Sequence, residues 1–231
     1  MRRAAGARSV ARLAVVMVVV FTAAGCATVP AAETPAGATG TVVSGANPAL
    51  VPPGFGTLRQ DDIAIRLALP GGLQVRAAPM DESFTRLLSP DSYRAMTELL
   101  NSKQVEIDRV KERVRMPSYS LWVLNFFAQE QGETRFSPME IVIRNVGRDF
   151  RPLDVIPMTP GFGEYRLRQR DTQSAIFVFD GQVDPNQPLS VVVETTESGG
   201  WQTVLQRVER ERVLVRSRAG AQQRRDTMAL R

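Results

Sequence analysis

Short runs of alternating apolar residues constrain the fold of this chain most, because a side-chain period of two is typical of a strand buried on one face. From Ile63 to Leu69, apolar residues alternate with Ala and Arg, and the alternation resumes at Leu73 after Pro70-Gly71-Gly72. A Pro-Gly-Gly turn between two such runs predicts a hairpin. Further strand-like runs lie between Gly, Pro, Asn and Asp residues, at 118–129, 138–147, 150–157, 164–170, 174–179 and 189–194.

These runs predict a mainly β, antiparallel fold with helices, either a β-sandwich or a partly open barrel. The run at 119–128 is apolar on both faces and includes Trp122, which predicts a central strand covered on both sides. A Trp-containing central strand and this turn spacing resemble immunoglobulin-like sandwiches, although the cysteine pair of that family is absent. The likeness is architectural and implies no function. The run at 150–157 is bounded by prolines and predicts an edge strand.

A helical period replaces the strand pattern at 89–116, which predicts one long inserted α-helix. Ser89 and Pro90 suit its start, and Pro117 ends it. At about 1.5 Å per residue the helix would be close to 40 Å long, so we expect it either to project or to break near Asn101-Ser102. Its apolar stripe has two interpretations, packing on its own sheet or binding a partner helix. The second interpretation assigns partner binding to Met96, Leu100, Lys103 and Ile107.

The C-terminal region predicts a short amphipathic helix that begins at Trp201, with a last strand as the alternative. We expect a single domain over 57–216, followed by a basic disordered tail over 217–231 because that segment lacks apolar periodicity. Contact of this tail with an anionic polymer or lipid is a further expectation.

The first 26 residues have the layout of an export signal. Four arginines precede an apolar stretch from Leu13 to Ala24, and Ala23-Ala24-Gly25 stands directly before Cys26. This arrangement resembles the lipobox of bacterial lipoproteins, although leucine is commonest where Ala23 stands. The resemblance implies that Cys26 is lipidated, that 1–25 is a signal peptide, and that 26–56, rich in Ala, Pro and Gly, is a tether. The alternatives are a secretory signal cleaved elsewhere and an uncleaved anchor.

Composition restricts the available chemistry. The chain has no histidine and one cysteine, which excludes Ser-His and Cys-His nucleophiles and imidazole metal sites. The fold must also form without a disulfide. We therefore assign no catalytic residue, metal or cofactor and expect binding rather than catalysis, with a carboxylate-based hydrolase as an alternative. Of 29 basic residues, four lie in the leader, leaving 25 against 24 acidic residues, so the net charge of +5 does not indicate a nucleic-acid partner.

These observations predict a lipid-anchored cell-envelope protein that binds or scaffolds another envelope protein. The resemblance to lipoproteins with Ala, here Ala27, after the acylated cysteine favours the periplasmic side of an outer membrane over the plasma membrane. A glycan- or peptidoglycan-binding module is the alternative. For an anionic ligand the candidate residues are Arg166, Arg168 and Arg170, which alternate along one predicted strand face.

Overall fold

The computed structural model describes residues 50–229. The predicted leader, Cys26, most of the predicted tether and the last two residues therefore lie outside the described residues. Within residues 50–229 the chain forms eleven strands and four α-helices, and its paired strands are antiparallel. The strands make three sheets of five, four and two strands, in the orders β1-β2-β3-β9-β7, β11-β10-β5-β6 and β4-β8.

The elements have the following bounds: β1 Ile65–Ala68, β2 Leu73–Pro79, α1 Glu82–Thr85, α2 Pro90–Ser102, α3 Gln104–Val114, β3 Tyr119–Ala128, β4 Glu133–Arg135, β5 Val142–Asn145, β6 Arg148–Phe150, β7 Asp154–Pro157, β8 Arg166–Arg168, β9 Thr172–Asp180, β10 Leu189–Val193, β11 Thr196–Glu197 and α4 Trp201–Ala229.

The five-stranded sheet contains the elements that the sequence predicts best. Strands β1 and β2 form the expected hairpin, with Leu67 opposite Val75. Strand β3 lies between β2 and β9, as its two apolar faces predict, and β7 is an edge strand. Side chains on one face of β3, such as Trp122, join the larger hydrophobic core, which also includes residues of the four-stranded sheet and α4. Side chains on the other face, such as Val123, belong to a second core that includes residues of α2 and α3.

The inserted segment forms two helices that meet at Lys103, so the prediction of one continuous long helix is wrong and the alternative, a break near Asn101-Ser102, is confirmed. Lys103 leaves helical geometry, with φ −106° and ψ 7°. The preceding Ser102 hydroxyl donates a hydrogen bond to the Leu99 carbonyl at 2.8 Å. A serine that bonds the backbone in this way competes with the helical ladder and favours a bend. The break keeps both apolar stripes over the sheet instead of letting the second half project.

Helix α4 is much longer than the short C-terminal helix that we predicted. Its first half packs on the larger core through Trp201, Val204, Val208 and Val215. The Trp201 indole stacks on Phe84 and donates hydrogen bonds to two backbone carbonyls at 3.1 Å each. The predicted disordered tail is also not observed over 217–229, because α4 continues through this segment.

The ordered domain begins before the predicted boundary at 57. Val51 is 4% exposed and lies in the larger core. A Cβ atom added at Gly56 would lie 2.0 Å from the Leu87 carbonyl oxygen, so only glycine allows the backbone to approach this closely. The composition of 26–56 predicted a uniform tether, but its last residues are part of the domain.

Candidate functional site

The predicted partner-binding stripe is largely internal. Met96 and Ile107 are 4% and 1% exposed and pack in the second core, and Leu100 is partly buried against the same core. Lys103 lies at the junction of α2 and α3, where its Nζ is 3.2 Å from Glu106 Oε1. The stripe therefore packs on the domain's own sheet, which is the first of the two interpretations, and partner binding by these residues stays a prediction. Apolar periodicity identified a buried face but not what buries it.

The predicted arginine face is exposed, but its geometry differs from a three-residue ladder. Arg166 and Arg168 lie on the outer face of β8, while Leu167 between them is fully buried. Arg170 lies beyond the strand in a turn with φ 66°, and its backbone N–H donates to the Ala128 carbonyl. The turn removes Arg170 from the register of the other two arginines.

A third arginine on this face comes from the paired strand β4. In the β4–β8 ribbon, Arg135 lies directly opposite Arg166, and Glu133 lies directly opposite Arg168. Like charges directly opposite each other destabilise an antiparallel pair. The sequence reasoning missed Arg135, since β4 is only three residues long and gives no periodic signal.

A single carboxylate, that of Glu133, lies near both of the opposed arginines. Glu133 Oε1 is 3.6 Å from Arg135 Nε and 3.8 Å from Arg166 Nε. At these distances and on an exposed surface each ion pair is weak. Arg168 forms no ion pair with any of residues 50–229. The outer face of the ribbon therefore carries three guanidinium groups and one carboxylate, which gives it a net positive charge that an anionic ligand could neutralise.

The backbone beneath these arginines is held by several contacts. Phe136 N–H donates to the Tyr165 carbonyl at 3.1 Å, and Gln173 Nε2 donates to the Arg166 carbonyl at 3.1 Å. The Asp171 carboxylate accepts a hydrogen bond from Arg168 N–H at 3.0 Å. The ribbon thus keeps the spacing of its arginines, although their side chains reach into solvent.

An aromatic group borders the ribbon. The Tyr165 ring meets Phe136 and Phe162 edge to face, with centroid distances of 5.9 Å and 6.0 Å. Phe136 and Phe162 are buried, whereas Tyr165 is 44% exposed. Tyr165 also has φ 53°, in the left-handed region that non-glycine residues rarely adopt. This backbone turn places the exposed Tyr165 next to the arginines. We call the surface formed by Arg135, Tyr165, Arg166 and Arg168 the arginine patch.

Within 50–229, no three or more His, Cys, Asp or Glu side chains are grouped so that they could hold a metal ion. None of the helices in the described part of the chain combines the length and hydropathy of a membrane-spanning segment. Comparisons of the chain with protein-family models, with curated proteins and with solved structures found no match.

Proposed function

We propose that this protein is a lipid-anchored, non-enzymatic binding module of the bacterial cell envelope, and that its arginine patch binds an acidic surface of another envelope protein. The leader and Cys26 support the anchor through their resemblance to lipoproteins. The observation that carries the binding half is the directly opposed pair Arg135 and Arg166, which share a single carboxylate.

This arrangement is unfavourable for the isolated domain and favourable for a complex. Two arginines placed opposite each other repel, and a carboxylate from a partner would relieve the repulsion and form charge-assisted hydrogen bonds. Arginine can bind a carboxylate in a bidentate manner, which adds geometric specificity. The patch is therefore a better site for an anion than an isolated surface arginine would be.

The composition around the patch favours a protein as the partner. Arginine, tyrosine and methionine are enriched at protein interfaces. Tyr165 is exposed beside the arginines, and Met139, three residues after Phe136, is 49% exposed. A module of this kind would use the aromatic and aliphatic groups for contact area and the arginines for orientation and association rate.

The binding test uses capture from native membranes with the full-length protein and chemical crosslinking. Arg135→Glu combined with Arg166→Glu should weaken capture of the partner by at least about tenfold, since each lost charge-assisted contact is worth roughly 1.5–3 kcal/mol. The matched control is Arg94→Glu combined with Arg109→Glu, which changes the net charge equally on the exposed sides of α2 and α3 and should leave capture unchanged. Equal losses in both variants would show a nonspecific charge effect and contradict the proposal.

Sedimentation with purified cell wall separates the partner classes. If the patch binds peptidoglycan instead of a protein, the wild type should cosediment with the wall and the patch variant should not. That result would overturn the protein partner and support the glycan-binding alternative.

The anchor has its own test. Intact-mass analysis of protein from native membranes should show acyl chains on Cys26, and Cys26→Ser should release the protein from the membrane fraction. An unmodified Cys26 in the membrane-derived protein would refute the anchor. Membrane fractionation of a two-membrane host should place the acylated protein in the outer membrane, as Ala27 favours.

We also infer that the two larger sheets are arranged as a sandwich. One hydrophobic core includes Trp122 and Phe177 of the five-stranded sheet together with Ile143 and Val191 of the four-stranded sheet, which supports face-to-face packing. An experimental structure that shows these sheets side by side, with no shared core, would contradict this arrangement.

A further inference from the structure

A second exposed surface, the outer face of α4, combines basic and apolar residues. At 100° per residue, the core-facing positions Trp201, Val204, Val208 and Val215 lie on one side of this helix. A sector about 120° wide, centred opposite Trp201, includes Arg207, Arg210, Val213, Leu214, Ser217, Ala221, Arg224, Arg225 and Met228. We call this set the outer face of α4.

The outer face contains no acidic residue within the described helix. Each of the three acids of α4 over 201–229 is engaged elsewhere. Glu211 is buried and accepts hydrogen bonds from Thr57, Glu209 is bound to Arg212, and Asp226 accepts from Gln222 on another side of the helix. The side chain of Arg207 is paired with Asp62 at 3.5 Å, whereas the side chains of Arg210, Arg224 and Arg225 make no ion pair or hydrogen bond with the described residues. The outer face therefore carries uncompensated positive charge along the helix.

Three of the large exposed apolar side chains among the described residues lie on this same face. Val213, Leu214 and Met228 are 59%, 43% and 75% exposed. Basic and exposed apolar side chains on one helix face suit a surface that is both anionic and able to take up apolar groups, as an anionic bilayer is. Anionic lipid attracts the arginines, and the apolar groups leave water.

The start of the ordered domain is fastened beside this helix. Thr57 N–H and Oγ1 both donate to Glu211 Oε1 at 2.9 Å, and Arg218 Nη1 donates to the Phe55 carbonyl at 2.8 Å. Residues 55 and 57, near the start of the described part of the chain, are therefore attached to the middle of α4.

We propose that the outer face of α4 docks on an anionic lipid bilayer, the same membrane in which the lipid on Cys26 is inserted. The inference rests on the proposed lipid anchor for its orientation, and it adds a second contact. A lipid anchor together with a basic surface binds a membrane more stably than the anchor alone. Docking would fix the domain on the membrane and turn the arginine patch toward a defined set of partners.

The test places an environment-sensitive fluorophore on the helix of the full-length protein. Leu214→Cys carries the label on the outer face, and Gln223→Cys carries it on the opposite side of the same helix. Each protein is mixed with vesicles of phosphatidylcholine and with vesicles of equal parts phosphatidylcholine and phosphatidylglycerol. We expect a blue shift and reduced iodide quenching at position 214 with the anionic vesicles alone, and no change at position 223.

A charge variant tests the cause of this shift. Each arginine near an anionic surface contributes roughly a fivefold gain in binding, so Arg210→Glu, Arg224→Glu and Arg225→Glu together should weaken docking by at least about a hundredfold. Raising the salt to about 1 M, where the screening length falls to about 3 Å, should also abolish the shift. The matched control, Arg135→Glu with Arg166→Glu and Arg168→Glu, changes the net charge equally and should leave the shift intact.

Failure of this inference is distinguishable from failure of the anchor. Without a lipid on Cys26 the protein should not float with phosphatidylcholine vesicles, yet the shift at position 214 with anionic vesicles would still appear. If the emission at position 214 is the same with both vesicles, the docking surface is refuted. If solubilised envelope proteins produce the blue shift at position 214 and vesicles do not, the outer face of α4 binds a protein, and the proposal that it binds lipid is refuted.

Discussion

Glu211 provides the sharpest test of how the start of the domain is held on α4. Its side chain is 6% exposed. Through Oε1 it accepts hydrogen bonds from the backbone and the hydroxyl of Thr57, and it lies 2.7 Å from Arg218 Nη1. We expect Glu211→Ala to destabilise the folded protein because it removes the acceptor of all three groups.

The magnitude follows from the exposure of the partners. A hydrogen bond to a charged group contributes about 1.5–3 kcal/mol, but Thr57 is open to water, which replaces part of each lost bond. We therefore take about 1 kcal/mol for each Thr57 bond and about 0.5 kcal/mol or less for the partly exposed ion pair with Arg218. The sum is about 2 kcal/mol, or a decrease in Tm of roughly 4–8 °C for a domain of this size.

Urea unfolding and thermal unfolding of the purified protein would measure this loss. Hydrogen exchange should show the amides of 51–58 losing protection before those of β3. The control is Asp226→Ala on the same helix, whose exposed hydrogen bond from Gln222 predicts a loss of about 0.5 kcal/mol or less. Equal losses for the two variants, or a loss below about 0.5 kcal/mol for Glu211→Ala, would refute the role of Glu211 in fastening 55–57.

Two further predictions concern the four-stranded sheet. Val146 has φ 49° in the turn between β5 and β6 and precedes Gly147. Because asparagine tolerates this conformation and a β-branched residue does not, Val146→Asn should stabilise the protein by about 0.5–1 kcal/mol. An unchanged or lower urea midpoint would contradict this explanation. A hydrogen bond from Arg144 lowers the pKa of Asp149, and bonds from Ser190 and Arg144 lower that of Glu197. A carboxylate whose pKa is lowered on folding stabilises the fold at pH values above its unfolded-state pKa and loses this contribution as the pH falls through the folded-state pKa. The Arg144→Gln variant should therefore be less stable than wild type at pH 7 and equally stable at roughly pH 2. A stability difference that does not depend on pH would exclude this electrostatic origin.

The outcome at the candidate sites shows which signals are local. The apolar stripe that contains Met96 and Ile107 indicated a buried helix face, but the sheet that covers this face is formed by strands distant in sequence. The opposition of Arg135 and Arg166 depends on the register of two strands about thirty residues apart, and no local pattern encodes that register. The arginines were visible in the sequence, whereas their juxtaposition was not.

The extent of α4 was also decided beyond the local sequence. Residues 217–229 lack an apolar stripe, so their composition predicted a coil. In the structure they continue a helix whose first half is docked through Trp201 and Val208. Helix nucleation is the unfavourable step, and extension of an existing helix needs only ordinary helix formers.

The sequence by itself determined the hairpin at Pro70-Gly71-Gly72, the central strand β3 and the limits of the inserted helical segment. Each of these depends on periods and turn residues within a few positions of one another. The sequence left open whether the inserted segment projects or breaks near Asn101-Ser102, and whether it packs on its own sheet. Only the tertiary structure decided between these alternatives and placed Arg135 opposite Arg166. These features depend on contacts between distant segments, whose geometry is fixed only when the whole core assembles.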